Sequence, residues 1–256
     1  MEFEDKVVIV TGGANGIGRS LCVEFANAGA KVAVVDLEAK PASDVAELVG
    51  GIGVRVDVAI EKDIQTMVAE VESSLGPVDI FVSNAGISFG DGPGWMAASA
   101  PDEAWETSWK VNVMAHVYAA RAVVPGMIKR GGGYLVNVAS GASLLCQVGD
   151  AAYSTTKTAA LGFAESLAIT HGDDGIGVSV LCPQGVNTAM APKQLGDGQT
   201  DGIIEPEVLA QCVIDALAKE RFHVLPHAEV EDYVRRKGDD IDRWLNGMRR
   251  LRRQSV

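Results

Sequence analysis

Tyr153 and Lys157 stand four residues apart in the stretch Tyr153-Ser154-Thr155-Thr156-Lys157, and Ser140 lies thirteen residues upstream of the tyrosine at the end of an apolar run. Residues four apart on a helix share a face, so a phenol and an ammonium would project together. A free tyrosine titrates near ~10, and a cation about 4 Å away at an effective dielectric of about 20 favours phenolate by ~4 kcal/mol, or roughly three pKa units. A phenol tuned in this way exchanges protons near neutral pH, which is general acid–base chemistry. The same spacing also occurs on ordinary exposed helix faces, so the pair acquires meaning only from the elements around it.

Those elements begin with Lys6–Val10, a β-branched apolar run of the kind buried on both faces of a parallel sheet. It leads into Thr11-Gly12-Gly13-Ala14-Asn15-Gly16-Ile17-Gly18 and then into an amphipathic helix over Ser20–Ala28. Strand, glycine turn and helix are the parts of a phosphate cradle: glycine lets the backbone turn sharply and approach a pyrophosphate, and the helix start offers free N–H groups. A tight strand-to-helix turn also needs glycine for steric reasons alone. A second strand, Lys31–Val35, ends in Asp36, where a dinucleotide fold hydrogen-bonds the adenosine ribose. Leu37 rather than a base follows it, and Asn15 in the loop is neutral, which reads as NAD rather than NADP. The plain alternative is a strand-end Asp capping the next helix.

Further along come a helix at Ala42–Val49, a short strand at Val54–Val56, and Asp57-Val58 opening the loop before a helix at Ile64–Leu75. In that layout Asp57 is positioned to meet the adenine edge. Asp79–Val82 forms a fourth strand, and the small residues Asn84-Ala85-Gly86 after it suit a cofactor crossing the sheet edge, or a plain turn. Ile87–Pro101 reads as a surface loop holding Trp95 and Met96, and Ala104–Lys129 as one long helix with Asn112 inside it. Tyr134–Ala139 delivers Ser140, Ala151–Thr170 is the helix carrying Tyr153 and Lys157, and Gly177–Leu181 is a sixth strand. Glu205–Ala218 is a helix, Phe222–Leu225 a short strand, and a charged helical tail runs from Glu229 to Val256. Alternating strands and helices without linker or repeat predict one α/β domain over residues 1–256, built on a doubly wound sheet.

Composition narrows the function classes. The chain has 47% apolar residues and 29 glycines, as a compact globule with many tight turns does. A net charge of −12 argues against general nucleic-acid affinity. The basic cluster Arg249, Arg250, Arg252 and Arg253 reads as a helix end favoured by its dipole. No apolar run has the roughly 18 residues of a membrane span, and the acidic start Met1-Glu2-Phe3-Glu4-Asp5 is unlike a secretory signal, so a cytoplasmic location with no membrane partner is expected. Cys22, Cys146, Cys182 and Cys212 are scattered and form no metal or disulfide pattern.

The motifs in their order, from the glycine turn through Asp36, Asp57, Asn84-Ala85-Gly86, Asn112, Ser140 and Tyr153 to Lys157, and on to Pro183 through Thr188, resemble the short-chain dehydrogenase/reductase family over about residues 5 to 225. The resemblance implies a Rossmann-type, three-layer α/β/α fold with seven strands, and hydride transfer between a nicotinamide cofactor and an alcohol or carbonyl. Tyr153 would be the acid–base, and Lys157 would lower its pKa and hold the nicotinamide ribose. Ser140 would orient the substrate oxygen, and Asn112 would anchor a water in a proton relay. Gly12, Asn15, Gly16, Ile17, Gly18, Asp36, Leu37, Asp57, Val58, Asn84, Ala85 and Gly86 would hold the NAD, joined by Tyr153, Lys157, Pro183, Val186 and Thr188. A homotetramer is implied, with the long helices of Ala104–Lys129 and Ala151–Thr170 at its interfaces, unless their apolar residues all face their own sheet. One position departs from the family: Gln184 stands where a glycine follows the proline, and is expected to narrow or polarise the substrate side. Ser88, Trp95 and Met96, Leu144–Gln147 and Met190–Leu195 would line the pocket, mostly apolar, which favours a medium or large hydrophobic secondary alcohol or ketone, with Lys193 and Asp197 leaving room for a polar end. The rival readings are a non-catalytic NAD-binding regulator and an NADP-dependent ketoreductase.

Overall fold

A computed structural model of the chain describes residues 1–92, 96–190 and 201–255. Trp95, Lys193, Asp197 and the rest of 191–195 lie outside the described residues.

Seven parallel strands form one sheet in the order β3-β2-β1-β4-β5-β6-β7. They are β1 (Val7–Thr11), β2 (Lys31–Asp36), β3 (Ile52–Arg55), β4 (Ile80–Ser83), β5 (Gly133–Val138), β6 (Ile176–Leu181) and β7 (His223–Val224). Every residue of β1 and β4 is buried, which is why both read as continuous apolar runs without alternation. The order reverses between β1 and β4, the switch point at which a doubly wound sheet opens a crevice at its carboxyl edge.

Helices α1 (Gly16–Asn27), α2 (Ala39–Val49) and α8 (Pro206–Ala218) cover one face, around a core containing Leu21, Phe25, Val45, Leu209 and Val213. The other face holds α3 (Glu61–Leu75), α5 (Ala115–Lys129) and α7 (Ala151–His171), packed through Ile64, Met67, Val123, Met127, Leu161 and Leu167. Each layer buries side chains worth about 1.5–3 kcal/mol apiece, and both are needed because the strands expose apolar residues on both faces. Gly50 ends α2 in the left-handed conformation at φ 64°, and the N–H groups of Gly50 and Gly51 return to Glu47 and Ala46.

Two expectations change. The long helix predicted over Ala104–Lys129 is α4 (Asp102–Trp109), a π-helical turn at Lys110–Met114 and then α5. Such turns mark places where a side chain must be re-aimed, and this one contains Asn112. A short helix that the periodicity does not reveal, α6 (Gly141–Leu145), follows Ser140. By length and composition alone the segment Asp102–Lys129 could cross a membrane, but half of its most apolar window is buried against the protein, as in a core helix. The tail folds into α9 (Glu229–Asp239) and α10 (Ile241–Ser255).

Candidate active site

The glycine turn is shaped by backbone crowding. Gly12 (φ 63°) and Gly16 (φ 50°) adopt the left-handed region, and a Cβ on Gly18 would lie 2.0 Å from the Gly12 carbonyl oxygen. Asn84 at the end of β4 locks the turn: its Nδ2 donates to the carbonyls of Thr11 (2.9 Å) and Gly12 (3.2 Å). Thr11 Oγ1 in turn accepts from the N–H groups of Asn84 (3.0 Å) and Ala85 (3.2 Å). The Asn84 side chain is therefore committed to positioning the cradle. Asn15 precedes α1 without capping it by its side chain, so nothing from its own side chain competes for the first-turn N–H groups. A cradle with no room for Cβ atoms beneath an uncapped helix start fits a dinucleotide pyrophosphate.

Asp36 reaches this turn: its Oδ2 accepts from Ala14 N–H at 3.1 Å and its Oδ1 from Glu38 N–H at 3.4 Å. Leu37 beside it is 52% exposed. Asp57 uses Oδ1 to accept from Ala59 N–H at 2.9 Å, so it shapes its own turn, and the Val58 side chain packs in the core. Asp36, Leu37, Asp57 and Val58 do not border the main cavity, whereas the other cofactor candidates do.

That cavity, about 1250 Å³, runs from the glycine turn past Ser140 and Tyr153 to the C-terminal helices. β5 delivers Ser140, and α7 presents Tyr153 and Lys157 one turn apart on the face turned to it. Asp150 starts α7 by accepting from Tyr153 N–H at 3.0 Å, and its other oxygen takes the Ser88 hydroxyl at 2.6 Å and Gly90 N–H at 3.1 Å. This buried carboxylate ties the loop after β4 to the Tyr153 helix; an Asp three residues ahead of the tyrosine is a capping signal that the sequence reading missed.

Lys157 is 3% exposed and donates to the Val138 carbonyl at 2.8 Å, with its Nζ 5.6 Å from the centre of the Tyr153 ring. Burial pulls its pKa down to about 8, against a smaller upward pull from Cys182. The expected phenol drawn down by Lys157 is not what this arrangement holds. Burial raises Tyr153 above its ordinary value, the Ser140 hydroxyl draws it back, and Asp150 and Cys182 raise it further. The physical reason is that the ammonium is engaged by β5 and is itself disfavoured by desolvation, leaving Ser140 as the group that stabilises phenolate. Ser140 Oγ also accepts from Ala142 N–H at 3.1 Å, so it caps α6 as well as facing the phenol.

Asn112 is fully buried and away from the cavity wall. Its Oδ1 accepts from Ile87 N–H, and its Nδ2 donates to the Ile87 carbonyl (2.9 Å) and Thr156 Oγ1 (3.1 Å). The side chain thus joins the π turn, the loop after β4 and the helix of Lys157. Pro183, Val186 and Thr188 border the cavity opposite the glycine turn, where a Cβ on Gly16 would meet Thr188 Cγ2 at 3.0 Å. Of the expected pocket residues, Ser88, Leu145, Cys146, Gln147 and Met190 border it, while Met96 is 65% exposed and Leu144 packs against the core. The tail forms a wall: Tyr233, Trp244, Met248 and Leu251 face the cavity, Tyr233 donates to Asp201 Oδ1 at 2.7 Å, and Lys237 holds the Leu144 carbonyl.

Comparison with known proteins gives the same picture. Residues 6–197 match the family described as short chain dehydrogenase. The chain is 32% identical to 1-deoxy-11-beta-hydroxypentalenate dehydrogenase of Streptomyces exfoliatus, over 96% of this chain and 92% of that protein. It is 31% identical to 2-(R)-hydroxypropyl-CoM dehydrogenase of Xanthobacter autotrophicus, covering 94% of each. A short-chain dehydrogenase/reductase from Burkholderia phymatum, solved in complex with NAD, superposes with a TM-score of 0.85 at 25% identity, covering 94% of this chain and 96% of that one. A parallel sheet with its switch point at the glycine turn, the Ser140, Tyr153 and Lys157 side chains at one cavity, and relatives aligned nearly end to end lead to one conclusion: this chain belongs to the short-chain dehydrogenase family, whose named relatives are oxidoreductases acting on hydroxyl groups.

Proposed function

We propose that the protein interconverts a medium or large, mainly hydrophobic secondary alcohol and its ketone with NAD(H). The observation that carries this reading is the convergence of Tyr153, Ser140 and Lys157 on the cavity that also contains the glycine cradle. When bound, the nicotinamide donates or accepts the hydride. Gly12, Asn15, Gly16, Ile17 and Gly18 would hold the pyrophosphate, Asp36 the adenosine ribose, Lys157 the nicotinamide ribose, and Val186 and Thr188 the carboxamide side. Asp36 beside the exposed, uncharged Leu37 supports NAD over NADP, since a carboxylate at this place accepts from ribose hydroxyls and repels a 2′-phosphate.

Ser140 orients the substrate oxygen and Tyr153 moves the proton at that oxygen. A phenol held above its ordinary value is protonated at neutral pH, so the resting site is set to act as an acid toward a nascent alkoxide. In the oxidative direction the Ser140 hydroxyl stabilises the phenolate that must take the proton. The apolar walls from Leu145, Met190, Trp244 and Met248 support a hydrophobic substrate body. Homotetramerisation in the cytoplasm is part of this reading; Trp109 on α4, 46% exposed, and Ile169 on α7, 84% exposed, leave apolar surface on the helices expected at subunit contacts.

The test is a panel of secondary alcohols and ketones assayed with NAD and NADP in parallel by nicotinamide absorbance, with Tyr153→Phe as control. Turnover with NAD that is lost in the variant supports the reading. Nicotinamide binding without turnover across the panel would instead favour a binding module.

A further inference from the structure

Among the described residues, two buried oxygen atoms bordering the main cavity have no hydrogen-bond partner: Oε1 of Gln184 and Oδ2 of Asp201. Leaving an acceptor buried and unpaired costs free energy, so such atoms in a ligand cavity point to a donor that arrives with the ligand. Asp201 is already half engaged, because its Oδ1 takes the Tyr233 hydroxyl. Gln184 is the residue that replaces the family's glycine, and its surroundings hold it in place. Its N–H donates to Nδ1 of the buried His227 at 3.3 Å, and the preceding Pro183 carbonyl accepts from Gly141 N–H at 2.7 Å and from Ser140 Oγ at 3.5 Å. The side chain lies over Gly141, where an added Cβ would sit 3.1 Å from Gln184 Cγ. The backbone at Gln184 is therefore held beside Ser140, the group that orients the reacting oxygen, and its side chain runs over Gly141 along the same cavity wall.

We propose that Gln184 accepts a hydrogen bond from a second hydroxyl on the substrate, adjacent to the reacting carbon, so that the cavity selects vicinal diols and α-hydroxy ketones over compounds with a single oxygen. Asp201 offers a further acceptor toward the tail for substrates that carry an additional hydroxyl. This inference rests on the alcohol–ketone reading of the site. It makes Gln184 a specificity residue and assigns it no step in proton or hydride movement.

The test compares 1-indanol with cis- and trans-1,2-indanediol, which share one ring system and differ by the second hydroxyl. Affinity for the wild-type protein saturated with NADH is measured by calorimetry, and turnover with NAD is measured separately. One diol isomer is expected to bind on the order of tenfold more tightly than 1-indanol. Gln184→Met, which keeps the length but cannot accept, should lose that preference, and Gln184→Glu, which keeps an acceptor, should retain it. Equal binding of diol and mono-alcohol to the wild type, binding of neither, or an unchanged preference in Gln184→Met overturns the proposal. Selective diol binding without NAD reduction leaves the Gln184 assignment standing and refutes the oxidoreductase reading instead.

Discussion

Replacing Lys157 with methionine should stabilise the protein at neutral pH while removing its activity. The ammonium is 3% exposed and, among the described residues, its hydrogen-bond acceptor is the Val138 carbonyl at 2.8 Å. Burial moves its pKa from 10.5 to about 8. At about 1.4 kcal/mol per unit, keeping it charged in the folded state costs on the order of 3 kcal/mol. Methionine fills similar space without charge but leaves the Val138 carbonyl unpaired, which returns about 1–2 kcal/mol of that gain. The net expectation is a variant roughly 1–2 kcal/mol more stable at pH 7, or about 2–6 °C in Tm for a chain of this size. Between pH 8 and 10.5 the unfolded chain binds a proton at this position that the folded chain has released, so wild-type stability rises with pH across that window. The advantage of Lys157→Met is therefore full below pH 8, passes through zero inside that window, and becomes a deficit of about 1–2 kcal/mol by pH 10.5, where only the loss of the hydrogen bond to Val138 remains. Urea unfolding of both proteins without cofactor, at several pH values from 7 to 10.5, measures it. A variant no more stable than wild type at pH 7, with the same pH slope, would refute the reasoning that Lys157 is retained for function at the expense of stability.

Asp36→Ala should raise the KM for NAD by about 10- to 100-fold, the loss of a charge-assisted hydrogen bond, while leaving NADP unchanged or improved; steady-state kinetics with both cofactors check this, and an unaltered NAD KM would remove Asp36 from the ribose site. Gly18→Ala puts a Cβ where the Gly12 carbonyl oxygen is 2.0 Å away, so the turn must move. The expected result is about 1–3 kcal/mol less stability by chemical denaturation and NADH binding at least about tenfold weaker by fluorescence titration.

The legible parts of this chain were those set by local pattern. The β-branched run of β1 feeding a glycine turn, and a phenol and an ammonium one helical turn apart, place themselves by period and steric need. What escaped was set by partners far apart in sequence. Val138 takes the Lys157 ammonium because β5 and α7 pack together, a contact nineteen residues apart that no spacing rule contains, and it overturned the expected Lys157 effect on the phenol. The π turn at Lys110–Met114 exists to face Asn112 toward Ile87 and Thr156, so a continuous helical period hides it. Asp57 Oδ1 closes a turn on Ala59, a local use of the carboxylate that the spacing does not show. Asp150 acquires its second role only once the loop after β4 brings Ser88 and Gly90 to it, and the inward faces of α9 and α10 only once the tail packs along the cavity.

The central claim is that the Tyr153 phenol moves the proton. Its most direct test is the turnover of Tyr153→Phe on a substrate that the wild type oxidises, with NADH affinity measured alongside. Turnover should fall by about 10²–10⁴-fold while the cofactor still binds within a few-fold of wild type. A phenylalanine variant that turns over at the wild-type rate would contradict it.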